Sequence, residues 1–410
     1  MSQGERPMSG ESALRDYRAA ARRFLETQAP RFSGAARQGL SFDQDLALAR
    51  AWQRLKWEHG YACITLPKAY GGAGGSDVEK LIFTEEEGRY DVPFEYLSVS
   101  LANPIPIMLA YATEEQKLRY GPPGIRGDEV WCQLFSEPSG GSDLAALRMS
   151  ARREGEHWVL NGQKLWTTYA QISDFGVVIA RSDPALPKHQ GLTYFFVDMR
   201  TPGIEVRPIR KLSGHDSINE VFFDNVVVPD TQRLGPVGAG FKVAIQTLMI
   251  ERYGVLDFAG WGASLEMLIA AARECCIDGR PAIEDGGVRE AIADMFVEER
   301  ALANINTRAL TAIAAGREPG PEGSITKLLV ALKRQRLGRL AMDLAGSMGT
   351  VLPPGAEIRT DFAASWLDAP TLRIAGGTDE ILRNTIAERI LGLPQDQRPD
   401  KDIPFRDLPG

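Results

Sequence analysis

Cysteine and histidine are scarce: the 410 residues hold four of each. Cys63, Cys132, Cys275 and Cys276 show no zinc-ligand spacing, and neighbours such as Cys275 and Cys276 rarely bridge each other. That argues against a disulfide framework and for a reducing compartment. His59, His157, His189 and His215 fall in neither metal nor triad spacing, so no metal is expected. No run of about 18 apolar residues is available to cross a membrane. The first ten residues are polar and lack an apolar h-region, so no signal peptide is expected and a cytoplasmic protein follows. Basic charge is not in excess either. Lys and Arg number 47 against 54 Asp and Glu, a net charge of −7, with a pI near 5.4. This balance argues against a nucleic-acid surface. The glycine cluster Gly71-Gly72-Ala73-Gly74-Gly75 lacks the lysine and Ser/Thr of a phosphate loop and reads as a flexible turn before a helix.

What is present is an ordinary globular composition, 44% hydrophobic and 25% charged, over a length that suits two or three domains. Helical patterns cover residues 11–28, 43–59 and 77–90, and an apolar segment spans 96–111, so the first 130 residues read as helical. The texture changes at Trp131. Short β-rich runs at 177–180, 192–197, 204–207 and 221–223, punctuated by Gly, Pro, Asn and Asp, suggest a small barrel or sandwich. Pro229 and the turn at 235–240 close it. Long helices are then expected over 241–273, 288–316 and 324–348, with breakers at Gly279-Arg280-Pro281 and Pro319-Gly320-Pro321. A last helix starts at Thr378 and ends near Leu391. The tail after Pro394, charged and proline-bearing, reads as extended.

The stretch 131–168 contains two unlike pieces. The first is a loop, Ser136-Glu137-Pro138-Ser139-Gly140-Gly141-Ser142-Asp143, whose small residues leave backbone N–H groups free to approach something flat or anionic. The second reads as a hairpin, with the type I′ dipeptide Asn161-Gly162 between His157-Trp158-Val159-Leu160 and Gln163-Lys164-Leu165-Trp166-Thr167-Thr168. Strict alternation would put Trp166 and Thr168 on one face. Read alone, an indole beside a threonine is ordinary strand packing. Likewise Gly376-Gly377-Thr378, read alone, is a loop with an N-cap, although a helix opening there would offer free N–H groups to phosphate.

Together these pieces resemble the acyl-CoA dehydrogenase family, whose middle domain has a T-E-P-x-x-G-S-D loop followed by N-G-Q-K-x-W-x-T. The likeness continues through Val226-Val227-Val228-Pro229-Asp230, Glu251-Arg252 and Gly376-Gly377-Thr378-Asp379-Glu380-Ile381, and ends at Leu391-Gly392-Leu393-Pro394. It covers almost the whole chain in order. It implies an α+β multidomain fold: an N-terminal helical domain over 1–130, a middle β-barrel or sandwich domain over 131–233, a C-terminal four-helix bundle over 234–395 and a tail over 396–410. It implies FAD, with Gln133, Leu134, Phe135, Ser136, Gly141 and Ser142 along the isoalloxazine and its chain. Trp166 would flank the ring and Thr168 would face its reactive edge. Gly377, Thr378 and Glu380 would approach the adenosine diphosphate end. The implied reaction is α,β-dehydrogenation of an acyl-CoA thioester to the trans-2-enoyl-CoA, with electrons passed to an electron-transfer flavoprotein. Ser142, Arg252 and the backbone of Gly376 would face the substrate.

In many members the base is a Glu directly before the Gly-Thr of the C-terminal motif, where this chain has Gly376. Others place it in a Glu-Arg pair on the first long helix of the bundle, which Glu251-Arg252 matches. Helical spacing adds independent support. Ala244, Leu248, Glu251, Val255 and Phe258 share one face, which sets a carboxylate among apolar residues. The alternative is a buried Glu–Arg pair that only braces the bundle. Two further departures stand out. Cys275 and Asp278 occupy the places of an Arg and a Phe in a segment that holds a neighbouring subunit's flavin, and Asp343 replaces an adenine-contacting glutamine. Arg273 or Arg280 could substitute. Such losses resemble a bacterial subgroup acting on steroid and related CoA thioesters, some of which work as two unlike subunits. The chain is therefore expected as a homo-oligomer or as a heteromer with a related subunit. A non-catalytic partner subunit and a flavin oxidase or monooxygenase on the same fold stay open. Neither membrane nor nucleic-acid partners are expected.

Overall fold

The computed structural model describes residues 10–254, 262–314, 323–351 and 361–408; the side chains at 10, 11, 250–254, 310, 313 and 314 lie outside that description. The expected breaker at Pro319-Gly320-Pro321, and the face positions Val255 and Phe258, also lie outside it. The chain forms two compact units, Met1–Leu97 with Leu118–Asp128, and Ser98–Lys117 with Glu129–Gly410.

The first unit is helical, as the periodicity predicts. Helices α1 (Gly10–Gln28), α2 (Phe42–Glu58) and α3 (Asp77–Glu87) supply most of it. Both α2 and α3 begin with reciprocal capping boxes, Ser41 with Gln44 and Ser76 with Glu79, which satisfy N–H groups that a helix start leaves open. The core gathers Leu25, Phe32, Trp52, Ile64 and Phe83. Charge is buried only with partners. Asp45 takes two bonds from the Arg37 guanidinium at 2.9 and 2.7 Å, and Glu86 takes Arg18 and Arg22 at 2.7 and 2.9 Å. The glycine cluster is indeed a turn, and a close-packed one: a Cβ at Gly72 would sit 2.2 Å from the Leu66 carbonyl oxygen. Helices α4 (Glu95–Ala102) and α6 (Glu114–Arg126) each carry residues of both units, and α5 (Pro104–Tyr111) belongs to the second.

The second unit contains a seven-stranded sheet: β1 (Trp131–Leu134), β2 (Ser150–Glu154), β3 (His157–Thr168), β4 (Phe175–Arg181), β5 (Leu192–Asp198), β6 (Ile204–Ile209) and β7 (Ile218–Pro229). Strand order is β1-β4-β2-β3-β7-β6, with β5 also on β4. Every residue of β4 is buried, and both its edges are paired, one by β5 and the other by β1 and β2 in turn. β1 pairs with Phe175 to Val178, and β2 joins only at Arg181. The candidate loop leaves the sheet between those two points.

The hairpin differs from the sequence expectation. Glu154 pairs with His157, so the turn is Gly155-Glu156, with Gly155 at φ +61°. Glycine first in a two-residue loop is the type II′ arrangement. Asn161-Gly162 lies inside the continuous strand β3. There the Asn161 side chain accepts from the Asn225 N–H at 2.8 Å and donates to the Asn225 Oδ1 at 3.2 Å, holding a bulge in β7 where Asn225 has φ +51°. Gly162 is needed because a Cβ would meet Met149 Cα at 2.8 Å. The same dipeptide chemistry thus serves a bulge rather than a turn.

The helical remainder comprises α7 (Gly240–Gly254), α8 (Leu265–Glu274), α9 (Gly286–Ala314), α10 (Gly323–Ala345), α11 (Phe362–Asp368) and α12 (Asp379–Arg389), with a two-residue ladder of β8 (Cys276–Ile277) and β9 (Arg280–Pro281). The single helix expected over 241–273 is two. Gly262 takes φ +85° and Ser264 caps α8 through the Met267 N–H. The bundle core is built from Leu265, Leu268, Val288, Met295, Leu337 and their neighbours. Gly338 lets α10 approach α11, since a Cβ would lie 3.1 Å from Trp366 Cα. The tail is not simply extended: residues 400–408 fold back onto the β4–β5 connection, where Pro404 bridges Pro187.

Candidate functional site

The loop that follows β1 is anchored from beneath by a buried ion pair. Glu137 and Gly140 exchange backbone hydrogen bonds of 2.9 and 3.1 Å, which lift Pro138 and Ser139 into solvent. The Glu137 carboxylate turns inward and accepts the N–H groups of Arg148 at 2.7 Å and Met149 at 3.1 Å. It also meets Lys164 Nζ at 2.8 Å. Lys164 is fully buried, and it donates to the carbonyls of Phe135 at 3.0 Å and Ile179 at 2.7 Å. Ile179 lies between the β4 residues served by β1 and by β2, so the ammonium occupies the gap where those strands part. Burial pulls the Lys164 pKa below that of an ordinary lysine, and Glu137 opposes the pull.

β3 then carries the ring wall. The Leu165 N–H donates to Ser136 O at 2.8 Å, tying the loop to the strand. Lys164 pairs with Val221 and Thr167 with Asn219, so Leu165 and Trp166 both stand opposite Glu220. Strict alternation fails at this bulge. Trp166 sits at φ +63°, is 56% exposed, and is followed by buried Thr167 and half-buried Thr168. A bulky residue in the left-handed region is strained, and such strain gathers at functional sites. Asn219 holds the bulge from inside, donating to Thr167 O at 3.0 Å and Gln171 Oε1 at 2.6 Å. Among the described residues, the hydroxyl of Thr167 and the Oδ1 of Asn219 have no partner.

Of the residues expected at a flavin, Ser136, Gly141, Ser142, Trp166 and Thr168 keep exposed or half-exposed surface. Gln133 is half-buried and accepts from Asn103 at 3.0 Å. Leu134 and Phe135 are buried side chains, so backbone atoms are what they can offer.

A second group lies at the start of α12. Gly376 and Gly377 have φ +67° and +99°, and Thr378 caps the helix through the Ile381 N–H at 3.3 Å. The N–H groups ahead of it, at Asp379 and Glu380, have no partner within the helix. The Gly377 carbonyl is pinned by Lys327 Nζ at 2.6 Å, while Arg373 binds buried Asp379 at 2.7 Å. The exposed polar loop atoms and open indole suit a planar group, and the glycine-led helix start by itself suits a phosphate, the two chemistries of a cofactor such as FAD.

Glu251 and Arg252 lie in the last turn of α7, and their side chains are outside the described residues. Position 251 continues the row Val243, Thr247 by steps of four, and both of those are buried. Sequence reasoning named Lys164 only as part of a motif and overlooked Glu137 and Asn219 as supports. A lysine in the interior of a strand, directly before Leu165-Trp166, is the one signal it offered.

Comparison with known proteins supplies the family. The acyl-CoA dehydrogenase N-terminal, middle and C-terminal domain profiles match residues 11–128, 132–226 and 238–391. Acyl-CoA dehydrogenase IpdE1 of Mycobacterium tuberculosis is 33% identical over 89% of this chain and 92% of its own length. The chain belongs to the acyl-CoA dehydrogenase family. Acyl-CoA dehydrogenase FadE34 of the same organism is 38% identical over 80% of this chain, which spans only 44% of that relative's length. Among solved structures, the steroid ACAD Tcur3481-Tcur3483 superposes with a TM-score of 0.79 at 27% identity, covering 96% of this chain and 99% of that one. A glutaryl-CoA dehydrogenase from Mycobacterium smegmatis, in complex with FADH2, gives 0.73 at 25% identity, covering 94% and 96%. The three-domain architecture is that of the family, and its relatives are oxidoreductases.

The departures from the family pattern have plain structural settings. Cys275 ends α8, and Asp278-Gly279 forms the tight turn between β8 and β9, with φ +50° and +76°. Arg273 and Arg280 flank that turn, both exposed. Asp343 is exposed on α10 beside Arg339 at 3.9 Å. Among the described residues, no helix is long and apolar enough to cross a membrane.

Proposed function

We propose that this chain is an FAD-dependent acyl-CoA dehydrogenase that converts an acyl-CoA thioester to the trans-2-enoyl-CoA and passes two electrons to an electron-transfer flavoprotein. The observation that carries this reading is the exposed, left-handed Trp166 held beside Ser136 by the Leu165–Ser136 bond. It leaves a ring wall and loop hydroxyls together on a rigid support.

FAD, when bound, supplies the hydride acceptor for the substrate Cβ. The chain supplies the rest. Ser136, Gly141, Ser142, Trp166 and Thr168 would hold the isoalloxazine, and Gly377, Thr378 and Glu380 the diphosphate end. Glu251 would take the Cα proton, so that a proton and a hydride leave and a C=C bond forms. The Gly376 N–H would donate to the thioester carbonyl as negative charge develops there. Arg252 and Ser142 would orient the substrate.

A second reading, a heteromeric assembly with a related subunit, rests on Cys275, Asp278 and Asp343, which leave no arginine or glutamine where a neighbour's flavin would be held. The Tcur3481-Tcur3483 steroid ACAD is itself a pair of proteins. The test is the visible spectrum of the protein expressed alone, then an acyl-CoA panel with an artificial electron acceptor. Flavin near one per chain with turnover supports the enzyme. Flavin well below one per chain, restored by a co-expressed related subunit, supports the heteromer. Rapid peroxide release would replace dehydrogenase by oxidase.

A further inference from the structure

Two chains of contact run from the C-terminal tail to the loop after β1. The first is ionic: Asp400 Oδ2 lies 2.8 Å from Lys188 Nζ, which lies 2.7 Å from Asp143 Oδ2. The second passes through an arginine. The Phe405 ring lies 3.8 Å from Arg181 Cζ. Arg181, buried at the end of β4, donates to Ala145 O at 2.6 Å, to Leu147 O at 3.3 Å and to Lys188 O at 2.8 Å. Backbone bonds seat the tail, Phe405 N–H on Leu186 O at 2.9 Å and Arg406 N–H on Pro184 O at 3.0 Å. Both routes end on residues 143–147, directly after Ser142. The other end of the loop already has its brace, Glu137 with Lys164.

We propose that residues 400–408 are a clamp, with Lys188 and Arg181 as positioning residues, that fixes the 138–147 loop for the cofactor and substrate. The assignment of that loop rests on the proposed function; the clamp itself rests on the contacts alone. A glycine-rich loop with exposed Pro138, Ser139, Gly141 and Ser142 is ordered by what grips its ends, and losing one grip lets it open locally. A guanidinium stacked on a ring and partly withdrawn from water is a stronger tether than an exposed ion pair. The phenylalanine is therefore the main anchor, and Asp400 sets the register.

The experiment compares the intact chain with a chain ending at Arg398, with Phe405→Ala and with Asp400→Asn, using Phe405→Trp and Asp400→Glu as conservative controls. Hydrogen exchange of amides 138–147 is read by mass spectrometry on flavin-free protein. Exchange should rise roughly tenfold in the truncated and Phe405→Ala proteins and recover in the controls. Flavin dissociation constant and KM should rise with kcat little changed. Unchanged exchange in the truncated protein and in Phe405→Ala overturns the clamp. Faster exchange with unaltered flavin affinity and KM overturns its positioning role. An intact chain that binds no flavin, yet shows faster loop exchange on truncation, supports the clamp and rejects the flavin reading instead. Should the shortened chain fail to fold, the point variants decide.

Discussion

Lys164 Nζ and Glu137 Oε1 are 2.8 Å apart, and neither residue is more than 6% exposed. The pair fills a hole in the hydrogen bonding of the sheet. The ammonium serves the Phe135 and Ile179 carbonyls, and the carboxylate serves the Arg148 and Met149 N–H groups. An isolated buried ion pair can often be replaced by apolar residues at little cost, because desolvation offsets attraction. This pair cannot, because four backbone groups depend on it.

Lys164→Met should therefore lose about 3–5 kcal/mol of stability, the cost of stranding a buried carboxylate. Adding Glu137→Met should recover little, since it leaves backbone donors and acceptors unpaired at about 1–3 kcal/mol each. Urea midpoints of the single and double variants are the measurement. A double variant as stable as the parent would show that the backbone groups find other partners.

Trp166 gives a test in which stability and function separate. A left-handed backbone costs a side-chain-bearing residue roughly 1–2 kcal/mol, and glycine escapes that cost. Trp166→Ala keeps the strain, whereas Trp166→Gly relieves it. In flavin-free protein the glycine variant should be more stable than the alanine variant by about 1 kcal/mol, despite the chain entropy of glycine. Both should bind flavin more weakly than the parent. Equal denaturation midpoints for the two would mean that the bulge relaxes without the indole.

The ionic part of the tail's docking should be lost at both pH extremes. Lys188 holds the Asp400 carboxyl below its ordinary 3.8. Burial works against the Lys188 ammonium, but Asp143 and Asp400 outweigh it and hold its pKa above the ordinary 10.5. A depressed carboxylate stabilises above its unfolded pKa, and that contribution goes as pH falls through the folded value. A raised lysine stabilises below 10.5, and that contribution goes as pH rises past its folded value. The ionic contact should persist from about pH 4 to pH 10. His189 is held below its ordinary pKa by burial first and then by Lys188, with Asp143, Asp400 and Arg398 also acting on it. Its charging should shift the contact without abolishing it. A fluorine label on the Phe405 ring, followed by NMR across pH, reads the docking. A midpoint on the acid side of 6.5, inside that window, would give control to His189 instead.

What the sequence made legible was local. The helical–strand–helical order follows from periodicity, and the Ser136–Asp143 loop and the Thr378 cap follow from residue chemistry. Three features escaped because their causes are non-local. Asn161-Gly162 carries the same preference for positive φ whether it turns a hairpin or faces the Asn225 bulge; only the β7 register decides. Lys164 looks misplaced in its strand until β1 and β2 are seen to share one edge of β4. Phe405 stands alone in a charged, proline-bearing tail, and its partner Arg181 is over two hundred residues away in sequence.

Val243 and Thr247 are buried on α7, and Thr247 meets the Tyr194 hydroxyl at 3.2 Å, so this row of the helix faces the sheet. Position 251 comes one turn further along that row, at the end of the helix. A carboxylate is costly in such a row unless it has work to do or a partner. Gly376 has no carboxylate to offer, so in the proposed reaction the α-proton needs another acceptor, and Glu251 is the residue that the family resemblance puts forward. Glu251→Gln keeps size and hydrogen bonding while removing the base. With flavin bound and the fold intact, kcat should fall by roughly 10²–10⁴-fold. Denaturation and flavin affinity should stay close to the parent's, because a glutamine satisfies a bracing role that a missing base does not. Turnover near normal in flavin-replete Glu251→Gln would reduce Glu251 to a brace and send the search to another carboxylate.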